Sequence, residues 1–117
     1  MKHLLILNDP PYGTERCYNA LRLARGLAKA DPAAELTVFL MADAVVCAKK
    51  SQTTPNGYYN VERMLRGVAA GGARVLLCGT CMDARGLVED DMMDGVERST
   101  MDALTEATIA ADKTLVF

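Results

Sequence analysis

The sequence predicts an α/β sandwich built around a parallel sheet, and two observations support that class. Four short apolar runs, Leu4 to Leu7, Leu36 to Leu40, Val75 to Leu77 and Thr114 to Phe117, are continuous rather than alternating. Strands covered on both faces have this pattern. Between the runs lie stretches whose apolar residues recur at helical spacing, and strand alternating with helix is the signature of parallel strands joined by crossovers.

The elements follow in order. After the first strand, Glu15 to Ala30 carries Cys17, Ala20, Leu21, Ala24, Leu27 and Ala28 on one stripe. Arg22, Arg25 and Lys29 take the rest of the circumference, and Thr14 is the expected N-cap. A short, mostly apolar helix from Ala44 to Lys49 follows the second strand. The polar, turn-rich segment Ser51 to Gly57 reads as an exposed, mobile loop. Asn60 then caps a helix reaching Ala70, with Val61, Met64, Leu65, Val68 and Ala69 inward and Gly71-Gly72 as its stop. After the third strand, Gly95 to Arg98 offers a further short strand. A last helix runs from about Thr100 to Ala110, capped by Ser99 or Thr100, with Met101, Leu104 and Ala111 expected inward.

Right-handed crossovers place the carboxyl ends of all parallel strands on one side, which is where open α/β sheets bind ligands. Three loops belong there: Asn8 to Gly13, Met41 to Asp43, and Cys78 to Gly86. They are expected to converge on one cleft.

Composition narrows the function classes. At 117 residues, half of them hydrophobic and 24% charged, the chain fits one domain, 1–117, with a core that needs neither metal nor disulfide. A net charge of −2 without a basic cluster gives no case for nucleic acid. No apolar stretch approaches membrane-spanning length. The opening Met1 to Leu7 is too short for a signal peptide, and Asn8-Asp9-Pro10-Pro11 ends it without a cleavage site. The four cysteines are therefore read as reduced thiols in a cytoplasmic protein.

Chemistry concentrates in Cys78-Gly79-Thr80-Cys81-Met82-Asp83-Ala84-Arg85-Gly86, where an apolar strand gives way to a glycine-bearing loop. Backbone N–H groups and a nearby arginine at such a place favour thiolate, the nucleophilic form. Cys78 is the first candidate. Cys81 is a resolving thiol, a second carrier or a packed residue. Cys17 and Cys47, on apolar helical stripes, read as core or interface fillers. Arg85 either holds an anionic group or pairs with Asp83 or Glu89. Asp9 and Asp43 at strand ends suit turn formation or a substrate contact, and Tyr12 offers a phenolic hydrogen bond or simply packs.

Other chemistries fit poorly. A thioredoxin-like dithiol follows an early strand and opens a long helix, whereas this pair follows the third strand and meets a glycine soon after. His3, the only histidine, lies inside the first strand as a satisfied core residue, so neither a zinc site nor a Cys–His pair is assembled. Glu89-Asp90-Asp91 and Asp94 lack calcium-loop spacing and read as a solvated face. Met92 and Met93 beside them pack under the loop or enter a subunit contact. No cofactor is implied, since no phosphate loop or dinucleotide fingerprint is present.

End to end, the sequence resembles the DsrE-like family and, within it, the small YchN-type proteins. The resemblance rests on Asn8-Asp9-Pro10-Pro11-Tyr12-Gly13, Asn19-Ala20-Leu21-Arg22-Leu23-Ala24, Phe39-Leu40-Met41-Ala42-Asp43-Ala44-Val45, Gly57-Tyr58-Tyr59-Asn60, the Cys78–Gly86 segment and the closing Ala111-Asp112-Lys113-Thr114-Leu115-Val116-Phe117. It implies a three-layer α/β/α sandwich with a mainly parallel five-stranded sheet, and assembly into homohexamers. It also implies a persulfide on a loop cysteine, at the position of Cys78, with sulfur donor and acceptor proteins as partners.

Three functions are expected on this basis. The first is a sulfur carrier using Cys78 and Cys81, with Asn8, Asp9, Tyr12, Asp43 and Arg85 facing the substrate. A redox-sensing dithiol and a non-catalytic module binding a small ligand or partner are the alternatives.

Overall fold

The computed structural model describes residues 1–117. Five strands, β1 (Lys2–Leu7), β2 (Glu35–Leu40), β3 (Arg74–Cys78), β4 (Val96–Ser99) and β5 (Lys113–Val116), form one sheet in the order β4-β3-β2-β1-β5. Every neighbouring pair is parallel. The helices are α1 (Arg16–Ala30), α2 (Val61–Ala70), α3 (Gly79–Ala84) and α4 (Met101–Ala110). Short 3₁₀ segments occupy Ala42–Ala48, Pro55–Gly57 and Glu89–Asp91.

The topology follows from chain direction. From β1 the chain steps one way to β2, β3 and β4, then returns across the sheet to β5. Right-handed crossovers running in opposite directions put α1 and α2 on one face and α4 on the other. The result is the three-layer α/β/α sandwich.

The core sits where the sequence is most continuously apolar. Leu4, Leu5, Leu7, Val38, Phe39, Leu40, Val75, Leu76 and Leu77 on the three central strands are all buried, and Ala20, Leu21, Ala24, Val61, Leu65 and Val68 cover them from α1 and α2. Each fully buried Leu or Phe contributes about 1.5–3 kcal/mol relative to exposure. Met92 and Met93 are buried under the 3₁₀ turn that precedes them, where Met93 N–H donates to the Ala48 carbonyl at 2.8 Å. Cys17 and Cys47 are buried in the same core, and Cys17 Sγ donates to the Asp9 carbonyl at 3.0 Å.

Several expectations are corrected. Thr14 does not hold the N-cap position of α1, which Glu15 occupies without a side-chain bond; the Thr14 hydroxyl donates to the Asp9 carboxylate at 3.0 Å and accepts from Arg16 N–H at 3.4 Å. Asn60 and Thr100 do cap α2 and α4, accepting from Arg63 N–H and Ala103 N–H. Met101 is 58% exposed rather than inward; as the first residue of α4 it has a neighbour on its stripe on one side only. The run Thr114 to Phe117 does form β5, but on a sheet edge, leaving Leu115 and Val116 exposed. His3 is buried, yet Nδ1 has no hydrogen-bond partner, because the backbone groups beside it belong to the ladders with β2 and β5.

The segment Ser51–Gly57 is the largest correction, for it is pinned rather than mobile. Gln52 Nε2 donates to the carbonyls of Cys47 and Lys49 at 2.9 Å and of Val46 at 3.3 Å. Its Oε1 accepts from Tyr12 Oη at 2.6 Å, its N–H donates to Glu62 at 2.9 Å, and its carbonyl accepts from Asn60 Nδ2 at 3.0 Å. This one residue ties together three parts of the chain: the Tyr12 loop, the Val46–Lys49 turn and the start of α2.

Candidate functional site

Cys78 ends β3 and serves as the N-cap of α3. As the backbone leaves the strand, the thiol turns over the first turn of α3. Cys78 Sγ accepts from Cys81 N–H at 3.3 Å and lies 3.4 Å from Thr80 Oγ1. The side chain is 7% exposed. Burial pushes this thiol up, but hydrogen bonds from the Cys81 and Thr80 side chains and from their backbone N–H groups outweigh it, so its pKa is lowered.

Cys81 is the more open of the pair and is shifted the other way. Burial and the neighbouring Cys78 raise its pKa, against an N–H from Ala42 at 3.3 Å and the charge of Arg85. Two thiols of opposite tendency therefore share one turn, one inclined to ionise and one to keep its proton.

The cations around them are arranged differently from the sequence expectation. Arg85 pairs with Asp43, not with Asp83 or Glu89: Nε and Nη2 meet Asp43 Oδ1 at 2.9 and 2.8 Å, and Nη1 donates to the Cys81 carbonyl at 3.0 Å. Asp83 is taken by Arg98, through two bonds of 2.9 Å. The parallel register sets Arg98 of β4 opposite Leu77 and Ser99 opposite Cys78. The Arg98 guanidinium thus lies against Gly79, where an added Cβ would fall 2.8 Å from its Nε. It is also close enough for the Cys78 charge to raise its own pKa, after Asp83, the main cause. Neither Arg98 nor Thr80 stood out in the sequence. Only the pairing of β3 with β4 reveals Arg98; the position of Thr80 two residues after Cys78 was the available signal for the other.

The loops divide into two groups. Met41–Asp43 and Cys78–Gly86 meet, through Ala42 N–H on Cys81 and Arg85 on Asp43. The Asn8–Gly13 loop does not join them by any hydrogen bond. Asn8 is tied to the Phe117 carbonyl, Asp9 to Thr14 and Arg16, and Tyr12 to Gln52 and Val61 N–H. Tyr12 lines a separate groove of about 430 Å³ with Pro11, Tyr18 and Tyr59. No group of three or more His, Cys, Asp or Glu side chains is placed to hold a metal ion. No helix is long and apolar enough to cross a membrane.

Comparison with known proteins agrees over the full length. The sequence model of the DsrE/DsrF-like family matches residues 1–117. Protein YchN of Escherichia coli K12 is 40% identical over 116 residues, spanning 99% of this chain and 98% of that protein. An uncharacterized protein of Methanocaldococcus jannaschii is 37% identical over 117 residues, covering 100% of both chains. The crystal structure of the E. coli YchN protein superposes with a TM-score of 0.94 at 39% identity, covering 100% of this chain and 99% of that one. A protein of unknown function from Methanobacterium thermoautotrophicum, 16% identical with a TM-score of 0.75 over 96% of this chain and 95% of its own, shares the fold. Matched from its first residue to its last, the chain belongs to the DsrE/DsrF-like family.

Proposed function

We propose that this protein is a cytoplasmic sulfur carrier in which Cys78 accepts a sulfane sulfur as a persulfide and hands it to an acceptor thiol. The observation that supports this most is the placement of Cys78 Sγ at the end of β3, accepting from Cys81 N–H beside the Thr80 hydroxyl. Membership of the family adds to it.

The transfer balances without an oxidant. The Cys78 thiolate attacks the outer sulfur of a donor persulfide, R–S–SH; a new S–S bond forms, the donor's S–S bond breaks, and R–S⁻ departs. The bound sulfur leaves when an acceptor thiolate attacks that same outer atom, regenerating the Cys78 thiolate. The terminal sulfur of Cys78–S–S⁻ is an anion, and the Cys81 N–H that already bonds Cys78 Sγ, with the positive charge of Arg98 beside Gly79, favours it. Cys81, protonated and adjacent, stands where it could resolve the persulfide or receive the sulfur.

The same reading includes a homo-oligomer, a homohexamer by family resemblance, acting as one domain per chain. Exposed Ile109 on α4 with Leu115 and Val116 on edge strand β5 supports self-association, since unpaired apolar edges favour it. Intact-mass spectrometry after incubation with a persulfide donor tests the chemistry. A gain of 32 Da multiples (on the order of one sulfur atom each) that Cys78→Ser abolishes is expected; equal gain by wild type and Cys78→Ser overturns the proposal.

A second reading rests on the two thiols sharing the first turn of α3, where Cys78 Sγ accepts from Cys81 N–H at 3.3 Å. Cys78 and Cys81 would cycle between dithiol and disulfide as a redox sensor. A free-thiol count unchanged across a glutathione titration eliminates it.

A further inference from the structure

Beyond the thiols, an unassigned site lies where the loop after β1 meets the start of α2. Open α/β sheets bind ligands outside the carboxyl ends of their strands. What this chain builds there is aromatic and cationic.

Tyr12, Tyr18 and Tyr59 line the groove of about 430 Å³, which continues into a smaller hollow of about 130 Å³ bounded by Arg25, Arg63, Tyr18 and Tyr59. The combined space falls in the range of small-ligand pockets. Two of the rings are tied to the fold or to each other. Tyr12 Oη is held between Gln52 Oε1 at 2.6 Å and Val61 N–H at 3.2 Å, and the Tyr59 ring meets Tyr12 edge to face at 6.3 Å. Tyr59 itself has φ +44°, and Asn56 φ +53°. A bulky aromatic residue in this region is strained, and such strain concentrates at functional sites. Despite the strain Tyr59 remains 54% exposed, so burial of its ring does not account for the conformation.

The two arginines are the second, independent feature. Arg16, Arg66, Arg74, Arg85 and Arg98 each face a carboxylate, and Arg22 bonds Asn19. Arg25 and Arg63 have no such partner. Arg25 reaches only Met64 Sδ at 3.5 Å, and the Arg63 guanidinium lies over Gly57, where an added Cβ would fall 2.5 Å from Nη1. The one carboxylate in either hollow, Glu15, lines the aromatic part and not the cationic one. Two guanidinium groups without counter-ions beside these rings suit a planar group bearing negative charge.

We propose that the cleft between α1 and α2 binds an aromatic anion, its ring against Tyr18 and Tyr59 and its charged group between Arg25 and Arg63. The ligand class is an aromatic ring carrying a phosphate or a carboxylate. Cys78 lines neither hollow, so this site is separate from the sulfur chemistry.

Calorimetric titration of the full chain tests it with two matched pairs, adenosine 5′-monophosphate against adenosine and indole-3-acetate against indole, together with inorganic phosphate. One of the two anions is expected to bind saturably, about 10-fold or more tighter than its uncharged counterpart and than phosphate. The tighter anion identifies phosphate or carboxylate as the charged group. Arg25→Gln and Arg63→Gln should each weaken it about 10-fold. Tyr59→Gly, which relieves the positive φ while removing the ring, should weaken binding without lowering the melting temperature. Cys78→Ser should bind as wild type, whatever the fate of the carrier reading. The proposal is overturned if neither anion binds more tightly than its uncharged partner, or if the Arg25→Gln/Arg63→Gln double variant binds both unchanged.

Discussion

Arg98 grips Asp83 through two parallel hydrogen bonds of 2.9 Å, and in doing so lies across Gly79, the residue after Cys78. The fork closes the turn from above while Cys81 N–H closes it from below. The thiol environment is therefore set by a strand that arrives late in the sequence, not by the Cys78–Cys81 segment alone.

This contact gives a stability prediction. Alanine at position 79 should gain up to ~1 kcal/mol of helix preference, but its Cβ would sit 2.8 Å from Arg98 Nε. In wild type the two effects oppose each other, so Gly79→Ala should be neutral or mildly destabilising. In an Arg98→Ala background the same change should stabilise. Denaturant melts of the four proteins of this cycle measure the coupling; additive effects would show that the guanidinium does not rest where the structure has it.

The thiols should titrate in opposite senses. Iodoacetamide modification of Cys78 is expected to rise with pH around a midpoint below the ordinary thiol value of about 8.5, while that of Cys81 lies above it. Cys81→Ala and Thr80→Val each remove a donor to Cys78 and should shift its midpoint upward. Cys17 and Cys47 should remain unlabelled in the native protein, because both are fully buried. A bulky maleimide should react with Cys81 well before Cys78. Midpoints read by peptide mass spectrometry that leave Cys78 at or above Cys81 would contradict the assigned hydrogen bonds.

How much of this was legible depends on range. β1, β2 and β3 were readable because Leu4–Leu7, Leu36–Leu40 and Val75–Leu77 are buried on both faces, and burial on both faces writes itself as an unbroken apolar run. Asn60 and Thr100 were readable because capping is a local bond. Cys78 was readable from its place at a strand end. Arg98 was not, because its approach to Gly79 depends on the β3–β4 register, a relation between residues far apart in sequence. The spacing around Arg85 points to carboxylates near in sequence, whereas its partner Asp43 lies 42 positions away. Ser51–Gly57 misled in part for a similar reason: its composition is that of a loop, and only the fold brings Tyr12, 40 positions away, onto Gln52.

Gln52 should accordingly matter more than its loop suggests. Gln52→Ala strips the donor from two part-buried carbonyls and the acceptor from Tyr12, so a loss of roughly 1–3 kcal/mol is expected. Thr53→Ala, at an exposed neighbour without such bonds, should stay within about 0.5 kcal/mol. Hydrogen exchange should show the Val61 N–H losing protection in the Gln52 variant, since its Tyr12 acceptor is no longer held. Equal stability of the two variants would mean that the segment is free after all.

Glu62 gives the fold an acid-sensitive contact. The carboxylate is buried at the start of α2, where it accepts from Gln52 N–H at 2.9 Å and from Arg66. Burial by itself would raise its pKa, but the Arg66 guanidinium and the N–H groups of Gln52 and Ser51 prevail and hold it below the ordinary carboxylate value. A carboxylate depressed in the folded state binds its proton more readily when unfolded, so stability rises with pH across the interval between the two values. The contribution is complete above the unfolded value of about 4.3 and disappears as the pH falls through the lower folded one. Glu62→Gln keeps the shape and removes the charge, and should cost roughly 1–3 kcal/mol at pH 7. Urea melts at a series of pH values should find the gap between wild type and Glu62→Gln constant from pH 7 to 5 and narrowing below that. A gap that persists unchanged to pH 3 would mean that the lost contact is one of packing, with the proton playing no part.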